Sequence, residues 1–152
     1  MAIICIREGH WRKLCRAMDN PQAGEDPRFA TMADRAENLR RLAHVATLMA
    51  DAGLTVLVPA ISPLDEHREL ARKVHDENGI EFFEVFVDTP LEDCERRDPK
   101  GLYAKARRGE ITHFTGIDSP YQRPKHPDLR LTPDYTAAEL AEQVVGLLDF
   151  RA

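Results

Sequence analysis

The chain has 152 residues, a formal net charge of -5 and 43% hydrophobic residues, which suits a single soluble domain with one buried core. Its three cysteines, Cys5, Cys15 and Cys94, are odd in number and lack paired ligand spacing. They argue against a disulfide framework and for reduced thiols in the cytoplasm. The apolar run at residues 2–6 is closed by Arg7 and Glu8, too short for a signal-peptide core or a membrane span. Neither a membrane nor a nucleic-acid partner is expected.

In chain order, residues 2–6 (AIICI) read as a short buried strand and HWRKLCRAM as a helical turn or two, while residues 19–28, with two prolines and a glycine among polar side chains, read as a linker. From Asp34 the pattern becomes regular, with Leu39, Leu42, Ala43, Ala46 and Met49 at helical spacing and Gly53 as the stop. Residues 54–61 are apolar except for Thr55, as for a buried parallel strand ending at Ser62-Pro63. A helix over residues 65–77 turns Leu70, Ala71 and Val74 inward and ends at Asn78-Gly79, and a strand follows at residues 82–87. Thr89-Pro90-Leu91-Glu92 and Thr136-Ala137-Ala138-Glu139 each carry a capping-box spacing, the first with proline at the opening helical position. The first of these helices turns Leu91 and Cys94 inward, and the last turns Leu140, Val144, Leu147 and Leu148 inward. Alternating strands and helices predict an α/β fold with a mainly parallel sheet.

The segment RRDPKGLYAKARRGEITHFTGID at residues 96–118 breaks this regularity. Arg96, Arg97, Lys100, Lys105, Arg107 and Arg108 stand against Glu110 and Asp118 in an otherwise acidic chain. An anionic ligand is the natural partner. Lys and Arg supply charge and forked donors for phosphate or sulfate, and Tyr103, Phe114 and Tyr121 offer flat faces to a purine. A solvated basic loop has the same composition.

The segment resembles the corresponding stretch of adenylylsulfate (APS) kinases, which phosphorylate the 3′-hydroxyl of APS to give PAPS. The resemblance extends through ADRAENLRRLAHVATLMADAGLTVLVPAISP and FFEVFVDTPLEDCERRDPKGLY and covers residues 32–152, leaving residues 1–31 unmatched. In detail it is most similar to the kinase domain of actinobacterial bifunctional sulfate adenylyltransferase large subunit/APS kinases. It implies a P-loop NTPase-like fold, Mg-ATP as co-substrate, APS and PAPS as ligands, and a homodimer or sulfate adenylyltransferase subunits as possible partners.

By the same resemblance, Arg35, Asn38, Ile61, Ser62, Lys100, His113 and Phe114 line the APS site, and Phe114 stacks on adenine. Arg97 and Lys105 belong to a lid, and Ser62 is a possible participant in catalysis. From the residues alone, Arg35 and Asn38 also suit a solvated helix terminus, Ser62 a turn and Phe114 a buried loop anchor. Arg68 and Arg72 suit pairing with neighbouring acids on their helix. The six histidines show no ligand spacing, and no metal ligand is assigned.

Two family elements are not in the sequence. A P-loop, GxxxxGK[ST], cradles phosphates with backbone N–H groups, a Lys and a Mg²⁺-holding hydroxyl, and neither it nor the family's LDGDN-like acidic segment occurs here. REGH, after the first predicted strand, has one glycine and no Lys-Ser pair. Residues 1–31 suit a poorly ordered extension or a shifted frame or start site, and kinase activity of the chain alone is expected to be small. The competing readings are a noncatalytic APS- or PAPS-binding remnant, acting through an intact subunit, and an unstable fragment.

Overall fold

The computed structural model describes residues 2–5 and 32–149. Among them, β1 (Ala2–Cys5), β2 (Val56–Pro59), β3 (Phe82–Val87) and β4 (Leu129–Leu131) form one sheet in the order β2-β1-β3-β4. Every pairing is parallel: Ile3 aligns with Leu57 on one side and Phe83 on the other, and Phe86 aligns with Arg130. The strand expected at residues 2–6 therefore occupies an inner position. HWRKLCRAM and the expected linker lie outside the described residues.

The helices are α1 (Met32–Asp51), α2 (Asp65–Glu77), α3 (Leu91–Arg97), α4 (Leu102–Arg107) and α5 (Ala137–Asp149). Leu39, Ala43 and Ala46 are buried on α1, whereas Met49 is exposed. The helix stops where Gly53, at φ +86°, lets the N–H of Leu54 reach the carbonyl of Met49. Ala43 packs with Ala71, Val74 and Phe82 in one cluster, with Leu70 against it. On α5, Leu140, Val144, Leu147 and Leu148 cover Val85 and Leu131. Its capping box forms as expected: the N–H of Thr136 donates to Glu139 Oε2 at 2.7 Å, and the N–H of Glu139 donates to Thr136 Oγ1 at 3.3 Å.

Two local expectations are corrected. The strand at residues 54–61 is shorter and not buried, with Leu54 and Leu57 more than half exposed, because β2 is an edge strand among the described residues. Thr89 forms no capping box. Pro90 is the N-cap of α3, its carbonyl accepting from the N–H groups of Asp93 and Cys94 at 3.1 Å, without a side-chain cap. Leu91 and Cys94 are only half-buried.

Helix α2 buries two histidines, His67 and His75. His75 Nδ1 lies 2.8 Å from the carbonyl of Ala71, while His75 Nε2 and His67 Nδ1 have no hydrogen-bond partner. Desolvation pushes both imidazoles below the ordinary value of 6.5. The unfolded chain therefore binds more protons just below that value than the native chain does. Their stabilisation is complete above pH 6.5 and is lost as pH falls through it, at up to about 1.4 kcal/mol per pH unit for each. Urea titrations between pH 7.5 and 5 are expected to show stability falling with pH, with a shallower fall in His75→Gln. An identical slope in the variant would show that His75 does not contribute.

Candidate functional site

In a parallel α/β sheet the strand C-termini and the loops beyond them present backbone and side chains to a ligand. Here Ile61 and Ser62 follow the C-terminal end of β2. Ile61 is half-buried against the Ala43 cluster. Ser62 is 2% exposed, takes φ +38°, and has no hydrogen-bond partner for its hydroxyl. A non-glycine residue in that region costs on the order of 1–3 kcal/mol unless its surroundings hold it there.

The surroundings centre on Arg68, which is 3% exposed. Its Nη1 donates to the carbonyl of Ser62 at 2.6 Å, and its Nη2 donates to the carbonyl of Gln122 at 2.8 Å and pairs with Asp65. Its Nε stands 2.9 Å from Glu84 Oε1, an ion-pair contact without the angle of a hydrogen bond. One turn on, Arg72 Nη2 lies 3.0 Å from Asp128 and 3.7 Å from Glu84, with its guanidinium 4.8 Å from the centre of the Phe82 ring. The expected local pairing along α2 is present between Arg68 and Asp65, and contacts to β3 and to the segment before β4 are added to it. Burial raises the carboxyl pKa of Glu84, against the pull of Arg68 and Arg72.

The same face of β3 continues outward. Phe86 stacks with Tyr121 at 6.3 Å, with the Arg123 guanidinium 5.2 Å from the Phe86 ring centre. Asp88, 6% exposed, accepts from Arg123 and from Arg130 Nε at 2.6 Å. Tyr121 is therefore committed to the sheet face, and burial pushes its phenol up to about 12.

Lys100 is exposed in the turn between α3 and α4, where Gly101 adopts φ +65°. The Asp98 carboxylate accepts from the N–H groups of Tyr103 at 3.2 Å and Ala104 at 3.0 Å, ordering the start of α4. Arg97 and Lys105 are exposed in the last turns of α3 and α4. The positive field is thinner than a residue count suggests. Arg96 pairs with Asp93 at 2.6 Å, and Arg107 with Glu95 and Arg108 with Glu110 at 2.5 Å.

Beyond α4, Asp118 organises the HFTGID loop. Its carboxylate accepts from the N–H of His113 at 2.7 Å and from that of Phe114, while the carbonyl of Phe114 accepts from Ile117, Asp118 and Ser119. Desolvation opposes the Asp118 charge, but these backbone donors outweigh it and hold the carboxyl below its ordinary range. His113 is exposed at φ +57°. Phe114 is 6% exposed, with Tyr103 edge-on at 5.0 Å and 72°.

The Ser62 turn and the segment after this loop are tied together. The N–H of Gln122 donates to the carbonyl of Pro63 at 2.8 Å, and the N–H of Asp65 donates to Gln122 Oε1 at 2.7 Å. Asn38, half-buried on α1, and Arg97 are carried on separate elements. Arg35 belongs to α1, but its side chain lies outside the described residues. Gln122 and the linking role of Arg68 were missed in the sequence because their partners lie 54 to 57 residues away.

A family model described as adenylylsulphate kinase matches residues 26–132. The chain is 78% identical over 119 residues to the bifunctional enzyme CysN/CysC of Mycobacterium tuberculosis (strain H37Rv), covering 78% of this chain and 19% of that protein. It is 53% identical over 119 residues to the adenylyl-sulfate kinase of Marinobacter nauticus, covering 78% of this chain and 59% of that protein. The chain thus spans about a fifth of the bifunctional relative and under two thirds of the kinase. Among solved structures, the Mycobacterium tuberculosis APS kinase CysC in complex with AMPPNP and APS superposes with a TM-score of 0.80 at 56% identity, covering 97% of this chain and 96% of that one. With the parallel sheet and helices described above, the P-loop NTPase-like fold expected from the sequence is present, and the chain belongs to the adenylylsulphate kinase family.

Proposed function

We propose that this chain supplies the APS-binding, acceptor side of ATP-dependent 3′-phosphorylation of APS to PAPS in sulfate assimilation, and that alone it transfers phosphate slowly or not at all. The observation that carries this reading is the buried Ser62 turn, with its unpartnered hydroxyl, tied to the segment that follows the Phe114 loop. In this reading Arg35, Asn38, Ile61, Ser62, Lys100, His113 and Phe114 belong to the APS site, with Phe114 stacking on the adenine, and Arg97 and Lys105 act from the lid. A cytoplasmic location belongs to the same reading. Among the described residues, no helix is long and apolar enough to cross a membrane.

The residues present do not fit Mg-ATP. The sequence contains no GxxxxGK[ST] to supply the backbone cradle, lysine and magnesium-holding hydroxyl. The same observation favours a second reading, a noncatalytic APS- or PAPS-binding protein that works with an intact subunit, as a homodimer partner or beside sulfate adenylyltransferase.

Titration calorimetry with APS tests the acceptor site. Binding is expected to weaken with added salt, because exposed charge contacts are screened. Phe114→Ala is expected to weaken it by about 1–3 kcal/mol, as for a base stacked on an aromatic ring. Phe114→Leu preserves apolar volume but removes the flat face, and is expected to lose nearly as much. Full binding by Phe114→Leu would leave Phe114 as a loop anchor only.

A further inference from the structure

We infer that Arg68 and Gln122 are positioning residues that hold the Ser62 turn in its ligand-presenting conformation and couple it to the segment following the Phe114 loop. This inference rests on the acceptor-site reading, but its physical basis is independent of any ligand. Ser62 at φ +38° is held by its surroundings, and the group that grips its carbonyl is the Arg68 guanidinium at 2.6 Å. The guanidinium is planar and forked, so gripping Ser62 through Nη1 fixes where Nη2 points, and Nη2 meets the carbonyl of Gln122 at 2.8 Å. Glu84 on β3 anchors the remaining nitrogen at 2.9 Å.

Gln122 closes the same circuit from the other side, through the carbonyl of Pro63 and the N–H of Asp65. Two polypeptide stretches about sixty residues apart in sequence are therefore joined by three contacts, two through the side chains of Arg68 and Gln122 and one from backbone to backbone, while Arg68 also grips Ser62 within its own stretch. None of these contacts engages the Ser62 hydroxyl, which stays buried and unpartnered. A lysine at position 68 retains the charge near Glu84 but not the fork that spans Ser62 and Gln122.

Hydrogen exchange on the ligand-free chain, read at the amides of Asp65, Gln122 and Asp88, provides the test. The Asp88 N–H donates to the carbonyl of Leu131 at 2.7 Å, takes no part in the contacts of the circuit, and reports on the pairing of β3 with β4. Gln122→Ala and Arg68→Lys are each expected to speed exchange at Asp65 or Gln122 by about tenfold or more, the loss of roughly one hydrogen bond, while Asp88 is unchanged. APS affinity in the same samples is expected to fall about tenfold, with Gln122→Glu, which keeps the acceptor for the Asp65 N–H, recovering most of the loss. Equal acceleration at all three amides, or none at Asp65 and Gln122, would overturn the positioning role. Should Arg68→Lys not fold, Gln122→Ala decides. A wild-type chain that shows no APS binding would refute the acceptor-site reading, and the exchange pattern would still decide the role of the two residues.

Discussion

With saturating Mg-ATP and APS, the 152-residue chain is expected to form PAPS at least about 1000-fold more slowly than the roughly ten turnovers per second typical of enzymes. Phosphoryl transfer depends on positioning and on charge stabilisation around the transferred group. Removal of a single preorganised donor commonly costs two to three orders of magnitude, and here the whole GxxxxGK[ST] motif is missing from the sequence. A radiolabel assay sensitive to slow turnover checks the expectation. Turnover within about tenfold of the typical rate would require a donor site built from other residues.

The second large effect concerns stability. Glu84, 8% exposed on β3, faces Arg68 and Arg72. Breaking a buried ion pair by removing one partner usually costs about 3–5 kcal/mol. Glu84→Ala is expected at the lower end, about 3 kcal/mol, because Asp65 still faces Arg68 and Asp128 still faces Arg72. For a chain of this size that lowers the melting temperature by roughly 10 °C. Converting the pair to apolar residues, Glu84→Leu with Arg68→Met, removes both desolvation costs and is expected to restore much of the stability. The double variant also releases the Ser62 turn, so recovered stability without recovered APS binding would separate folding from positioning. A change below about 0.5 kcal/mol in Glu84→Ala, the range of ordinary surface substitutions, would show that the network contributes little.

Features encoded over a few residues were legible in the sequence. Gly53 ends α1 and the Thr136–Glu139 box opens α5, because the interacting groups lie within one helical turn. The capping spacing at Thr89 misled because Pro90 itself became the N-cap. The apolar run of β2 indicated a strand but not its edge position, which depends on which strands pair beside it. The arginines of α2 show the limit most clearly. Arg68 and Arg72 sit among acidic helix neighbours, yet their principal partners include Glu84, Gln122 and Asp128, brought near only by the closed sheet. In the basic segment, a count of residues 96–118 omitted Asp93 and Glu95 just upstream, which pair with Arg96 and Arg107. The family resemblance named Ser62 and Phe114 as expected site residues but gave no sign of the Arg68–Gln122 circuit that links the Ser62 turn to the segment after the Phe114 loop.

Parallel titrations of one folded sample with APS and with a nonhydrolysable ATP analogue, at low and high salt, separate the two halves of a kinase site most directly. The expected result is salt-sensitive saturation with APS and no saturable binding of the ATP analogue. Saturable binding of the ATP analogue, or no APS binding by a chain whose thermal unfolding is cooperative, would contradict the retention of an acceptor site without its donor.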